Sequence, residues 1–403
     1  MSRRTFTWNA RHRIEHIMPM NPIQKIPVAA SPMDAAQASE TPLSTARPKG
    51  QARRSFLRSL GIAAATLPVA QLLQAKQNSR DDDDHHSHGN FHLDVGRVTD
   101  GDAAILRFLA AAELIETDLW QQYTEITLGN PGFGDALAQL DEDMAQYVSD
   151  NTDDELSHAN FLNAFLEATG HTPVNLDAFR KLPSSSATGA QHVGRLTNLS
   201  NLTVDTSWYL RYRSANNPDF GDTFPQFINI VHRPAIPSHD LPAGSDELQA
   251  IANTAAFHFA TIEQGGSSLY GSFVPKATNL QVLRILYGIG GAEVNHFAVW
   301  HDKAGNAPAV SVPGVTFPDM GSFDGDETRQ NNLIMPEPCK FIDARLPECS
   351  VIRPTLTQNA GASAAIAGLT ASGLFAGQSP AFFATIRGLA LAADAARREV
   401  FDF

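Results

Sequence analysis

Apolar residues recur every three to four positions over four long stretches of the chain. The stretches cover residues 101–128, 136–168, 246–272 and 278–302, and this period is typical of amphipathic α-helices. Thr99 and Ser245 stand where helix N-caps are expected, and Gly170 and Gly305 follow the second and fourth stretches. The pattern predicts four long helices, A to D, and a mainly α-helical fold.

The lengths of the connections predict how these helices are arranged. A joins B, and C joins D, through short loops, which favour antiparallel neighbours. Residues 171–244, between B and C, are rich in Pro, Asn and Ser. That is long for a plain loop, so we expect this insert to have structure of its own or to cover the bundle. The predicted bundle domain is 99–310, and a Pro-rich segment and a helical tail follow in 311–403.

Polar residues interrupt the apolar faces of all four helices at related positions. The inward row of helix B contains Glu155 and His158, one turn apart, and helix D repeats this Glu-x-x-His spacing with Glu293 and His296. Helices A and C each carry a glutamate followed seven residues later by a tyrosine; these pairs are Glu116 with Tyr123 and Glu263 with Tyr270. Each predicted hairpin therefore carries the same set of residues.

This combination of residues indicates a dinuclear metal site. Four buried carboxylates without cations are costly, whereas two divalent cations would balance their charge. Carboxylate oxygen and imidazole nitrogen suit iron or manganese better than copper or a structural zinc. Glu113 lies one turn before Glu116 and is the alternative ligand on helix A; the repeated spacing to tyrosine favours Glu116, with Glu113 as a hydrogen-bond acceptor behind it.

Taken together, these motifs resemble those of the ferritin-like superfamily, over roughly residues 100–170 and 245–302. The resemblance implies a four-helix bundle with a long crossover from B to C and two bound iron ions, or alternatively manganese. It implies that Glu155 and Glu293 bridge both ions. The remaining ligands would be Glu116 with His158 on one ion and Glu263 with His296 on the other, and Tyr123 and Tyr270 would hydrogen-bond or take redox roles nearby.

Three functions are compatible with that resemblance. The first is an oxidase or ferroxidase that oxidises Fe(II) or another substrate with O2 or peroxide. The second is a di-manganese enzyme that disproportionates peroxide, and the third is a non-catalytic metal-binding or stress-protective structural protein. The long insert distinguishes this chain from the compact subunits of cage ferritins.

The N-terminal part of the sequence predicts export. "RRSFLR" at 53–58, followed by an apolar run, is similar to a twin-arginine signal; the run is short for a membrane anchor. We therefore expect residues 1–75 to be an extension and a cleaved signal, leaving a periplasmic or extracellular protein without a membrane span. Similar leaders occur in exported bacterial ferritin-like proteins, including the desiccation-related group. The Asp- and His-rich segment 76–98 is either a solvated linker or a weak metal binder.

Charge and cysteine content narrow the choice of partners. Beyond residue 75 the chain carries 20 basic and 40 acidic residues, which excludes a nucleic-acid-binding role. Metal ions with O2 or peroxide are the expected partners, and the sequence is compatible with a homo-oligomer.

In an oxidising compartment, Cys339 and Cys349 are expected to pair. Four further histidines have no partner at ligand spacing and are expected at the surface or in the core: His192, His232, His258 and His301.

Overall fold

The structure is a computed structural model. It describes residues 93–211, 225–323 and 361–399, together with 336–337, 339, 342–343 and 345–351. The predicted signal and residues 76–92 of the Asp- and His-rich segment lie outside the described residues. In the part of the chain that is described, no helix combines the length and apolar character that a membrane crossing requires.

The described chain is mainly helical, as the sequence predicts. Its α-helices are α1 Asp100–Gly129, α2 Pro131–Leu137, α3 Met144–Ala168, α4 Trp208–Arg211, α5 Asp246–Phe273, α6 Leu280–Ala304, α7 Ala362–Ala371 and α8 Pro380–Ala395. Short 3-10 helices cover Asp177–Phe179, Val274–Lys276 and Met320–Phe323. The predicted helices A, C and D correspond to α1, α5 and α6 within two residues at each end.

Helix B is shorter than predicted. The sequence predicts one helix over 136–168, but the structure has α2 and then, after a turn, α3 from Met144. The separate start of α2 has a local cause: Asn130 caps it by accepting the Phe133 N–H, and Pro131 occupies its first turn. The apolar period continues through the break, so the period alone could not reveal it.

The four long helices form two antiparallel hairpins that face each other. In the first hairpin, the Thr124 side chain near the end of α1 contacts Val148 near the start of α3. In the second, Glu263 of α5 meets His296 of α6. Tyr123 and His258 join α1 to α5 across the hairpins. Apolar residues from all four helices fill one continuous core.

The crossover from α3 to α5 is fixed along the outer side of α1. Asp118 of α1 is fully buried and accepts hydrogen bonds from the backbone N–H groups of Leu196 and Thr197, each at 2.9 Å. Arg180 donates to the same carboxylate at 2.7 Å. Strands β1 Leu202–Val204 and β2 Ile230–Arg233 pair antiparallel in this segment. The insert thus has structure of its own and covers the bundle.

The C-terminal region adds two further antiparallel pairs and two helices. β3 Val310–Val312 pairs with β4 Val315–Phe317, and β5 Pro336–Glu337 pairs with β6 Cys349–Ser350. Helix α8 packs against α1, and α7 packs against α8. The pairing of β5 with β6 sets Glu337 opposite Cys349. The predicted disulfide is therefore wrong: buried Cys339 and exposed Cys349 are not joined.

Candidate metal centre

Two groups of buried carboxylates and imidazoles meet in the middle of the bundle. One consists of Glu113, Glu155, His158 and Glu293, and the other of Glu155, Glu263, Glu293 and His296. Within each group, one potential ligand atom per residue lies within 4.8 Å of all the others. Glu155 of α3 and Glu293 of α6 belong to both groups, so each helical hairpin contributes one shared carboxylate.

Both histidines direct Nδ1 at the carboxylates. His158 Nδ1 lies 3.0 Å from Glu155, 3.4 Å from Glu293 and 3.5 Å from Glu113. His296 Nδ1 lies 3.0 Å from Glu155 and 3.2 Å from Glu263. The three-residue spacing of each Glu-x-x-His pair places glutamate and histidine on the same face of a helix. Five of the six predicted ligands are therefore together in the structure.

The sixth position differs from the sequence prediction. The sequence analysis favours Glu116, but the structure sets Glu113 against His158 and Glu293, and Glu116 is in neither group. Both glutamates are buried on α1, and residues three apart share a helix face. Their positions in the sequence could not distinguish the two glutamates, because contacts with neighbouring helices determine which side chain reaches the ligand group.

The two tyrosines contact different partners. The Tyr270 hydroxyl donates to Glu113 at 2.5 Å, so this tyrosine adjoins the centre. The Tyr123 hydroxyl instead bonds to Nδ1 of His258 at 2.7 Å. Burial lowers the pKa of His258 to about 3, so its imidazole is neutral. The repeated seven-residue spacing therefore does not produce two equivalent tyrosine contacts.

Two residues that the sequence analysis did not select hold the ligands in place. Asn151 donates to Glu155 at 2.8 Å and to Glu263 at 2.9 Å, while its carbonyl oxygen accepts from the indole of Trp300. Asp154 lies 3.0 Å from Nε2 of His296, the nitrogen that points away from the group. A carboxylate at that nitrogen fixes the orientation of a metal-binding histidine. Asn151 stands one turn before Glu155 in the inward row of helix B, and that position is the signal that could have identified it.

The four further histidines lie at the surface or in the core as expected, and two tryptophans lie in the core. His258 and His301 are buried, and His192 and His232 are exposed. Trp120 and Trp300 are buried and stack with ring centroids 5.3 Å apart. These side chains belong to the core or the surface, and none joins the metal-ligand groups.

The raised pKa values of the buried carboxyl groups favour bound cations at this centre. Burial, together with the charge of Glu155, raises the pKa of Glu293 to about 8. Burial and the neighbouring carboxylates also raise the pKa of Glu155 and of Glu263 to about 7. Burial lowers the pKa of His296, but Glu263 and Glu155 outweigh this effect and raise it to about 12. Carboxyl groups with pKa values this high are partly protonated at neutral pH, and bound cations would favour their ionised form.

The unpaired carboxylate oxygens of Glu293 also favour a bound cation. Neither side-chain oxygen of Glu293 has a hydrogen-bond partner among the described residues, although the side chain is fully buried. Unsatisfied buried carboxylate oxygens are expensive, and a cation would satisfy both. Four carboxylates and two imidazoles form a donor set suited to iron or manganese. The residues present therefore fit a pair of divalent metal ions.

A glycine makes room for the shared carboxylate. A Cβ atom at Gly266 of α5 would lie 2.1 Å from Oε2 of Glu293. No other residue could stand there without displacing Glu293. At the adjacent Gly265, a Cβ atom would meet nothing within 4 Å.

Comparison with known proteins agrees with this architecture. Residues 101–306 match a family model described as a ferritin-like domain. This range begins in α1 and ends just after α6, so it contains all four long helices and every member of both ligand groups. No curated protein and no solved structure gives a significant match to the chain.

Proposed function

Because the chain belongs to the ferritin-like domain family, we propose that it binds two metal ions, iron in the first place, and oxidises Fe(II) or another substrate with O2 or peroxide. The observation that carries the proposal is the pair of ligand groups that share Glu155 and Glu293. Burial of all four carboxylates supports a site built to hold cations rather than a surface cluster.

The proposal gives each side chain a role. Glu155 and Glu293 would bridge the two ions, Glu113 and His158 would complete one, and Glu263 and His296 the other. Asn151 and Asp154 would orient Glu155, Glu263 and His296 through the hydrogen bonds described above. Glu116 stays an alternative ligand on α1, since it is buried one turn from Glu113.

Bound iron would supply redox chemistry with O2 or peroxide, and bound manganese would supply peroxide disproportionation. The protein contributes a mainly apolar setting for the ligand groups. The Tyr270 hydroxyl donates a hydrogen bond to Glu113. Iron and manganese use the same donor types, so metal analysis distinguishes the two activities.

The decisive experiment measures metal in the purified chain. We expect about two iron ions per chain, and oxygen uptake when Fe(II) is added. Two manganese ions with oxygen release from peroxide would establish the disproportionating enzyme instead. Bound metal without turnover would establish the non-catalytic metal-binding protein. A chain that takes up neither metal anaerobically would overturn the proposal.

A matched pair of variants tests the site itself. Glu155→Gln removes a charge shared by both groups, so both metal ions should be lost. Glu167→Gln removes a charge from the exposed end of the same helix and should leave metal content unchanged. Circular dichroism of both variants verifies that the helices persist. Retention of two ions by folded Glu155→Gln would refute the assignment.

We also propose that the protein is exported. The support is the "RRSFLR" sequence with its apolar run, which lies outside the described residues. Fusion of residues 1–80 to a reporter enzyme should direct it across the bacterial inner membrane, and Arg53→Lys with Arg54→Lys should block this. Equal export of the reporter with and without the arginine pair would contradict the twin-arginine route.

A further inference from the structure

A second feature of the bundle is a cavity of about 490 Å³. Its walls come from α1, α5 and α7 and from the β1–β2 pair. The lining is mostly apolar and includes Ile115, Leu119, Ile262, Leu269, Ile366 and Leu374. The volume is within the range of small-molecule binding sites, which are typically apolar with a few placed polar groups.

The buried part of this cavity holds two polar side chains, Glu116 and His258. Nδ1 of His258 is occupied by the Tyr123 hydroxyl. Oε1 of Glu116 is buried and has no hydrogen-bond partner among the described residues. An unpaired carboxyl oxygen in an apolar wall is costly, and the polar group of a bound molecule would satisfy it.

The cavity adjoins the metal centre. Gly266 lines it, and this is the residue whose missing side chain leaves room for Glu293. Glu116, which also lines it, is one helical turn from Glu113. A molecule in the cavity would therefore reach the point at which α1, at Glu116, and α5, at Gly266, approach the Glu293 carboxylate.

We propose that this cavity binds a neutral, mainly hydrocarbon small molecule that carries one hydroxyl group, which donates a hydrogen bond to Oε1 of Glu116. Apolar walls favour the hydrocarbon part. Anionic molecules are disfavoured because the apolar walls would remove water from their charge without replacing it. The cavity site itself is independent of the proposed function. The further idea that its occupant is the substrate of the metal centre rests on that function.

The test uses the fluorescent probe N-phenyl-1-naphthylamine with the full chain. We expect saturable probe binding, displaced by decan-1-ol and much less by decanoate. Two glycines in the lining allow the cavity to be filled: Gly265 and Gly368, at which a Cβ atom would meet nothing within 4 Å. Gly265→Phe and Gly368→Phe should each weaken probe binding by about tenfold or more.

Two further glycines serve as controls, one on α5 and one on α8, which packs against α7. Gly271 of α5 and Gly388 of α8 also have open space at the Cβ position but do not line the cavity. Gly271→Phe and Gly388→Phe should bind the probe as the unaltered chain does. Unsaturable binding, cavity variants that bind like the controls, or displacement by decanoate as strong as by decan-1-ol would each overturn the inference.

Iron content measured on the same samples separates the two proposals. Iron bound by a chain that does not bind the probe overturns only the cavity site. Probe binding that is specific to the cavity, in a chain that takes up no iron, overturns the metal function and leaves the cavity site standing.

Discussion

Glu293 is positioned differently from the other carboxylates of the candidate metal centre. It belongs to both ligand groups, it has no hydrogen-bond partner among the described residues, and it faces the backbone of α5 at Gly266. Asn151 and the histidines hold the other shared carboxylate, Glu155. The two shared carboxylates are thus positioned differently: Glu155 by hydrogen bonds and Glu293 by available space.

Alanine at Gly266 should therefore lower metal affinity, because its methyl group would take the position of Glu293 Oε2. We expect a loss of about 10- to 100-fold, as for other residues that position ligands. Gly265→Ala is the control, since its methyl group meets nothing and alanine is the better helix former. Calorimetric titration with Mn(II) compares the two, and equal affinities would show that Glu293 does not need this space.

The choice between Glu113 and Glu116 can be tested directly. If Glu113 is the ligand on α1, Glu113→Ala should lose one of the two metal ions, while Glu116→Ala should keep both. The reason is that Glu113 lies 3.5 Å from His158 Nδ1, whereas Glu116 lines the neighbouring cavity. Metal-to-protein ratios of the two variants decide it, and loss of metal only in Glu116→Ala would restore the choice made from the sequence.

At the scale of elements, α1 is unusual because it is buried on nearly all sides. Trp120 and Tyr123 face the bundle core, Asp118 faces the crossover, and α8 covers a further side. A helix in this position has no solvent face, so its polar residues need partners within the protein. The polar residues of α1 accordingly attach the crossover, through Asp118, and provide a carboxylate for the proposed metal site, through Glu113.

The C-terminal helices depend on a carboxylate in a similar way. Asp394 of α8 accepts hydrogen bonds from the backbone N–H groups of Ala362, at 2.9 Å, and Ser363, at 2.8 Å, and so caps the start of α7. Burial raises the pKa of Asp394, but the bonds from Ser363 and Ala362 outweigh it, and the net pKa is lowered.

The cap predicts a defined pH dependence. A lowered folded-state pKa means that Asp394 stabilises the folded state above the unfolded-state value of about 3.9 and loses that effect as the pH falls below it. Asp394→Asn should therefore destabilise the chain by about 1 kcal/mol at neutral pH, since the carboxylate is partly solvated. Urea unfolding at pH 7 and pH 3 measures this, and a difference that is the same at both values would exclude the charged cap.

The sequence predicted the positions of the helices better than the contacts between their side chains. The positions of α1, α5 and α6 followed from apolar period and caps because those signals are local. The contact of Glu113 with His158 did not follow, because it depends on which side chains of other helices are near. The break before α3 did not follow, because the apolar period continues through it. Asn151 and Asp154 were within the correct helix, yet an amide and a surface acid carry no ligand signature until their partners are placed.

At the scale of the whole molecule, the metal centre joins two hairpins that are separate in sequence. Each ligand group draws on α3 and α6 and on one further helix. Neither hairpin alone provides a complete set, so a cation that binds the centre binds only the docked arrangement. Binding of the proposed metal ions would for that reason add to the stability of the fold.

Metal removal should accordingly lower the thermal unfolding midpoint. Free metal at 100 times its dissociation constant contributes about 2.7 kcal/mol per site. Melting curves followed by circular dichroism, with EDTA and with rising Mn(II), should shift upward with metal for the unaltered chain but not for Glu155→Gln. A midpoint independent of metal in both would mean that the hairpins dock without help from the centre.

The stacked tryptophans have a consequence for observation. Trp300 donates from its indole nitrogen to Asn151, which in turn bonds Glu155 and Glu263, and its ring stacks on Trp120. Indole emission responds to nearby charge, so the light emitted by this pair should change when cations arrive at the carboxylates. The intrinsic fluorescence of these tryptophans should therefore report metal binding. Stopped-flow fluorimetry could measure the rate of metal entry without an added dye.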